Sequence, residues 1–370
     1  MNDKPVVVYG ASGYTGRLIC EFLRELGVPF VAAGRDENKL KVSMDSHVPG
    51  IETADFQIRT VEHSVEALTD LFTGAGVVLN TVGPFSKWGP PVVEAALAAG
   101  AHYTDTTGEQ NWLITCDENY GAVFAERSLL LSPGIAQMYT TGEIAAQLCL
   151  EQPGLDTLDI AVFWGGSPTI ASTQSILVNA ATSAAHYLEQ NTYVPFDPDQ
   201  GLLPLVVPGQ HELALSLPWG GTSHPVWFKR DPRVANVKAQ GGVFNTALMH
   251  GVPQIVAAAL EATKDMNEAD RDAALFTTAA QVMNQMPPRS GAWSTSRSTR
   301  CTPPARSVGR TASSTATATI RRPDCCRLTR HIRCSSSRRG GSGSPRAARR
   351  SGIANCSASC ARSAWSWSRH

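Results

Sequence analysis

The sequence predicts an α/β protein: a Rossmann-type doubly wound parallel sheet, then a second α+β domain, then an unstructured C-terminal tail. Three observations predict it. The apolar run Val6–Tyr9 opens into Gly10, Gly13 and Gly16 and passes straight into a helical pattern. Short apolar runs and amphipathic stretches then alternate as far as Gly134. After Pro288 the composition changes abruptly. Such alternation implies parallel strands joined by right-handed helical crossovers.

The elements follow in order. Val6–Tyr9 reads as a buried strand. Leu18, Ile19, Phe22, Leu23 and Leu26 recur at helical spacing, and Gly27 stops the pattern. PFVAAG is a second strand and ENKLKVSM a helix; DFQIRTV is a third strand and SVEALTDLF a helix. GVVLNTVG is the fourth strand, and GPPVVEAALAAG a helix with proline in its first turn and glycine at its end. HYTDTTG and SLLLSPG complete six strand units. From Gly142 the pattern loses strict alternation. LDTLDIAVFWGG and VWFKRDPRVANVKAQGG have strand character; SPTIASTQSILVNAATSAAHYLEQ and TALMHGVPQIVAAALEA are helical. The expected domains are 1–141, dinucleotide-binding; 142–288, an α+β substrate or lid domain; and 289–370, the tail.

Ligands of doubly wound sheets bind at the carboxyl ends of the strands. Gly10 permits the turn off the first strand, Gly13 lets backbone approach a pyrophosphate, and Gly16 lets the helix pack closely. The helix start then offers N–H groups and partial positive charge to phosphate. The expected cofactor residues in this loop are Gly10, Ser12, Gly13, Tyr14, Thr15 and Gly16. An NAD site places an acid at the end of the second strand. Here Gly34 stands in its place and Arg35 follows, a guanidinium suited to a 2′-phosphate. NADP is therefore the expected cofactor. Asp36, 23 residues past Gly13, keeps NAD as the alternative.

VVVYGASGYTGRL, NTVGPFSKWGPPVVEAALAAGAHYTDTTGE and LLLSPG together resemble the saccharopine dehydrogenase-like oxidoreductases, which include the trans-acting enoyl reductases. The resemblance is good over residues 5–135, patchy to about 260, and absent from the tail. It implies an NAD(P)-dependent hydride transfer to or from a carbonyl, imine or enoyl group of a small or apolar substrate. It also implies that Asn80, Thr81, Val82, Gly83 and Pro84 edge the nicotinamide or its ribose, and that Asp105–Glu109 face the cleft. After Pro133 the chain departs from the family's Gly-x-Asp-Ser-x-Pro, reading PGIAQMYTTGE. No clamp for an amino acid is visible, so saccharopine itself is not the expected substrate. The alternative reading is a dinucleotide-binding sensor or scaffold without chemistry.

Hydride transfer needs a proton donor. The candidates near the strand ends are Tyr103, Asp105 and Glu109; equally, they are loop and cap hydrogen-bond partners. His102 points to the other face of its strand. His186, His211, His224 and His250 are isolated and read as structural. Trp219 and Trp227 either shape an apolar pocket or are buried at a strand turn.

The tail holds 17 Arg, no Lys, one acid, 18 Ser and no Phe or Tyr. The chain has 32 basic and 32 acidic residues, so Met1–Pro288 keeps 15 and 31, and its zero net charge hides an acidic body and a basic tail. Arginine without lysine suits a GC-rich gene read out of frame better than a basic arm, so a frameshift near residue 288 is expected. Nucleic acid is a partner only if the tail is genuine. Six of nine cysteines lie in the tail; one CxxxC without a second pair is no metal site. Cys20, Cys116 and Cys149 read as thiols of a reducing compartment. The expected location is cytoplasmic, with no membrane span and no signal-peptide pattern. A homodimer is compatible with this reading.

Overall fold

The structure, a computed structural model, describes residues 5–165, 168–207, 211–218, 223–283, 317–320 and 330–333. The chain divides into two units that interleave in sequence. The first comprises Met1–Ile135, Ser167–Val178 and Thr263–Ala312; the second comprises Ala136–Gly166, Asn179–Ala262 and Ser313–His370.

In the first unit, β1 (Val6–Tyr9), β2 (Phe30–Gly34), β3 (Phe56–Thr60), β4 (Val77–Asn80), β5 (His102–Asp105) and β6 (Leu131–Ser132) form one sheet in the order 3-2-1-4-5-6. Every pairing in it is parallel. The connecting helices are α1 (Tyr14–Glu25), α2 (Glu37–His47), α3 (Val65–Phe72), α4 (Phe85–Ala99), α5 (Gln110–Asn119) and α6 (Gly121–Glu126). Strand alternation sends Val7 and Tyr9 into one core with Leu68, Phe72, Val92 and Trp112. Val8 goes to the opposite core with Cys20, Phe30, Leu40 and Met44. The chain order reverses between β1 and β4, which makes their carboxyl ends the switch point.

α4 begins at Phe85, a turn earlier than its sequence pattern suggests, so Pro90 and Pro91 lie inside it. The Glu109 carboxylate accepts from the Phe85 and Ser86 N–H groups, a support from 23 and 24 residues away that no local pattern shows.

The second unit is built from α7 (Gln137–Leu150), β7 (Thr157–Trp164), α8 (Ile170–Thr182), β8 (His186–Glu189), β9 (Thr192–Pro195), β10 (Leu203–Leu205), β11 (Ala214–Ser216), α9 (His224–Phe228), β12 (Asn236–Val243) and α10 (Thr246–Thr263). The first part of α8 belongs to the first unit, as does α11 (Glu268–Val282). β7 and β12 pair in parallel, and β8 and β9 extend the sheet antiparallel. The sequence reads one helix through residue 190. The structure ends it at Thr182, because Gln190 and Asn191, both at positive φ, close a two-residue hairpin between β8 and β9. VWF likewise falls in the short α9 rather than in a strand.

The tail was expected to be unstructured. The structure describes two strands within it, β13 (Thr317–Ile320) and β14 (Arg330–Arg333), with β13 antiparallel to β7. Alternating threonine and a terminal isoleucine suit a strand, and β13 lies between β7 and β14 in the sheet. The rest of the expected tail, and Trp219, lie outside the described residues. Among the described residues no helix is long and apolar enough to cross a membrane.

Candidate functional site

The glycine loop follows from backbone chemistry. Gly10 has φ +89°, and a Cβ there would lie 2.6 Å from Thr81 Oγ1 and 2.9 Å from Val82 Cγ2. Gly16 is tighter: its Cβ would lie 2.4 Å from the Gly10 carbonyl oxygen. Both positions exclude a side chain. Gly13 is different. It is exposed, its φ of −76° is ordinary, and its Cβ would meet only the Gly10 oxygen at 3.3 Å. The loop is tied at both ends. Gly10 and Ala11 N–H groups donate to the Ala33 carbonyl, and Gly13 N–H donates to the Gly10 carbonyl. Ser43 Oγ donates to the Ser12 carbonyl. Thr81 Oγ1 donates to the Tyr9 and Gly10 carbonyls, joining this loop to the end of β4.

Helix starts separate the candidate phosphate site from its neighbours. α2 is capped by Asp36, which accepts from Lys39 N–H, and α3 by Ser64. The start of α4 carries the Glu109 carboxylate. α1 has Gly13 as its N-cap, which brings no side chain, and has no acid in its first turn. Of these four helices it is the one whose start carries neither a side-chain cap nor a carboxylate, which leaves its N–H groups and partial positive charge open to an anion.

Gly34 is buried at the end of β2, and Arg35 beside it is exposed. The guanidinium lies within electrostatic reach of Tyr9 and His63: its charge partly offsets the burial that raises the Tyr9 hydroxyl pKa, and adds to the burial that lowers that of His63. Asp36, the acid that kept NAD open, is engaged as a helix cap. These residues fit a dinucleotide with a 2′-phosphate: a loop without Cβ atoms, a helix start without a carboxylate, and a cation where an acid would repel phosphate.

The Asn80–Pro84 segment is anchored from beneath. Asn80 is fully buried; its Oδ1 accepts from Val82 N–H, and its Nδ2 donates to Tyr103 Oη. Tyr103 Oη donates to Asp105 at 2.8 Å. Asp105 also accepts from Trp112 Nε1, Thr107 N–H and Gly134 N–H. Glu109 accepts from Phe85 N–H, Ser86 N–H and Ser86 Oγ. Tyr103, Asp105 and Glu109 are all buried, so the three proton-donor candidates sit within one internal network. Burial raises the Asp105 pKa against four hydrogen bonds that lower it, and holds that of Tyr103 well above its usual value. Their polar atoms are committed to strand ends and the α4 start. The structure brings Gly10–Gly16 and Thr81–Pro84 together at the switch point. It also adds Tyr9, His63 and Trp88, which the sequence reading passed over. His63 lies between a strand end and a serine cap, a position whose only sequence signal is its place after the third strand.

A parallel sheet in the order 3-2-1-4-5-6, with an open glycine loop at its reversal point, defines a dinucleotide-binding Rossmann domain. Residues 6–129 match the family model for the saccharopine dehydrogenase NADP binding domain, which bears out the resemblance read from the sequence and makes NADP the cofactor of this domain. Residues 140–306 match a family of unknown function (DUF5938), a match that runs past the composition change at residue 288. A lipid droplet localized protein of Caenorhabditis elegans is 33% identical over 136 residues, 35% of this chain and 32% of that protein. A trans-acting enoyl reductase of Mycobacterium ulcerans is 36% identical over 107 residues, 28% of this chain and 25% of that protein. The chain thus matches a third or less of the length of these relatives. Among solved structures, saccharopine dehydrogenase (L-Glu forming) of Saccharomyces cerevisiae aligns at TM-score 0.47 and 14% identity, covering 72% of this chain and 60% of that one.

Proposed function

We propose that the chain is an NADP-dependent oxidoreductase. It would move a hydride between the nicotinamide and a carbonyl, imine or enoyl group of a small or apolar substrate. The observation that carries the reading is the contrast among helix starts: α2, α3 and α4 are capped by side chains, whereas α1 opens behind Gly13 without one. Gly10–Gly16 would hold the pyrophosphate, Arg35 the 2′-phosphate, and Asn80–Pro84 the nicotinamide side. The cofactor supplies the hydride chemistry. Asn80 fixes the Val82 amide, and Glu109 fixes Phe85 and Ser86, so both ends of the segment beside the nicotinamide are held before binding. Tyr103, Asp105 and Glu109 enter this reading as positioning residues. The enoyl option draws on the mycobacterial relative's name.

A second reading, dinucleotide binding without chemistry, is favoured by the burial of those same three residues. Consumption of NADPH with a panel of carbonyl and enoyl compounds separates the two. The cofactor site itself is tested at Gly13. A Cβ there displaces little of the protein, so Gly13→Val should fold with an unchanged melting temperature yet lose NADPH binding by calorimetry. Unchanged affinity would remove the loop from the site.

A further inference from the structure

We infer that His63 is a second specificity-determining residue for the adenosine 2′-phosphate of NADP, acting beside Arg35 and held in place by Tyr9 and Trp88. The inference rests on the cofactor reading above.

Four elements converge on the ring. Tyr9 is the last residue of β1, fully buried, and its hydroxyl lies 2.8 Å from His63 Nδ1. The two rings stack at 6.0 Å with an interplanar angle of 12°. Trp88, in the first turn of α4, meets the imidazole in a T-shaped contact with ring centroids 5.4 Å apart. Arg35, at the end of β2, reaches both Tyr9 and His63 electrostatically. His63 itself lies in the loop after β3, half-buried. β1, β2 and β3 are neighbours in the sheet, so their carboxyl ends bring the imidazole to the side of the switch point where the adenosine ribose lies.

The charged groups around the ring decide what it can do. Lys87 of α4 has its Nζ paired with Asp272 and placed 5.7 Å from the Trp88 ring. Glu62 and Glu66, on the same loop and in the first turn of α3, are exposed to solvent. No carboxylate is among the causes that shift His63; burial and Arg35 favour its neutral form, opposed by hydrogen bonding to the Trp88 backbone. A phosphate dianion on Arg35 reverses that balance. It cancels the guanidinium's repulsion and adds attraction for a second cation. His63 therefore takes up a proton when NADPH binds, and not when NADH binds, because NADH brings no charge to this corner.

The sign follows from linkage. A group whose pKa rises on binding makes affinity increase as pH falls through the window between its free and bound pKa values. One fully linked proton changes affinity by up to about tenfold per pH unit. The free phosphate ester itself gains a proton near pH 6, which acts the opposite way. In the parent protein the preference for NADPH over NADH should hold or grow from pH 7.5 to 5.5. In His63→Gln, which keeps a polar partner for Tyr9 but cannot take the proton, the preference should shrink over the same range. Calorimetry in two buffers of different ionisation enthalpy should detect proton uptake with NADPH in the parent protein and none in the variant. Equal binding of NADH by both proteins shows that the variant is folded; should it bind neither cofactor, His63→Asn replaces it. If the NADPH preference and its pH dependence are unchanged in the folded variant, the role of His63 is refuted while the NADP reading stands. If the parent protein binds neither nucleotide, both fall.

Discussion

At the scale of single residues, the proposed reading makes cofactor choice turn on three neighbours: Gly34, Arg35 and Asp36. A charge-assisted bond from Arg35 to phosphate would contribute roughly 1.5–3 kcal/mol, or about 10- to 150-fold in affinity. Arg35→Ala should weaken NADPH by that factor and leave NADH nearly unchanged. A Cβ at Gly34 would lie 3.5 Å from Leu40, ordinary contact, so a carboxylate can be built there. The double change Gly34→Asp with Arg35→Ala should therefore reverse the preference toward NADH. Asp36→Ala separates the competing idea. Its carboxylate caps α2 through Lys39 N–H, so its loss should cost about 1 kcal/mol of stability and leave the preference intact. Titration of both nucleotides against the three variants gives the answer. A selective loss of NADH in Asp36→Ala would return the ribose to Asp36.

At the scale of elements, α4 and α5 carry the support for the Asn80–Pro84 segment. Gly89 lies in α4 against Trp112 of α5, and a Cβ there would lie 2.4 Å from the indole Cζ2. The indole cannot swing away cheaply, because its Nε1 donates to the buried Asp105. Helix propensity favours alanine over glycine by about 1 kcal/mol, whereas forcing volume into a packed core costs roughly 1–3 kcal/mol. Overpacking should win. Gly89→Ala should lower the melting temperature and weaken NADPH together, since the displaced network reaches the Asn80–Pro84 segment. A stabilised variant with parental affinity would show that α4 and α5 are not coupled to the site. The same network marks the limit of sequence reading here. HYTDTTGE identified the carboxyl end of β5 correctly, but alternation along a strand does not reveal that Asp105 receives four donors, two from its own stretch and two from Trp112 and Gly134 beyond it.

At the scale of the whole molecule, the two units have separate cores, and the second holds a buried histidine. His224 is fully buried in the second unit, with Nε2 2.9 Å from the Tyr139 carbonyl oxygen. Burial lowers its pKa to about 4 from the ordinary 6.5. A histidine held neutral in the fold contributes stability that is present above its unfolded pKa and lost as pH falls toward the folded value. Between about pH 6.5 and 4 that loss amounts to roughly 3 kcal/mol. Thermal melts from pH 7 to 4.5, followed by tryptophan fluorescence that includes Trp227 5.9 Å away, should show this decline. It should be smaller in His224→Gln. An identical acid decline in both proteins would assign it to other groups.

The sequence by itself determined the Rossmann sheet, the glycine loop, the Gly34–Arg35 signature and the family likeness. Each is written in local periodicity or in a short motif, where strand, turn and helix are set by neighbouring residues. Tertiary structure decided the rest. It alone put Glu109 on the start of α4 and Tyr9 beside His63 at a separation of 54 residues. It also ended α8 at Thr182 and turned the following segment into a hairpin. Those outcomes depend on which strand ends meet and which buried polar atoms find partners. Such pairings are set by chain topology and desolvation, and the partners of Glu109 and of His63 lie in other stretches of the sequence.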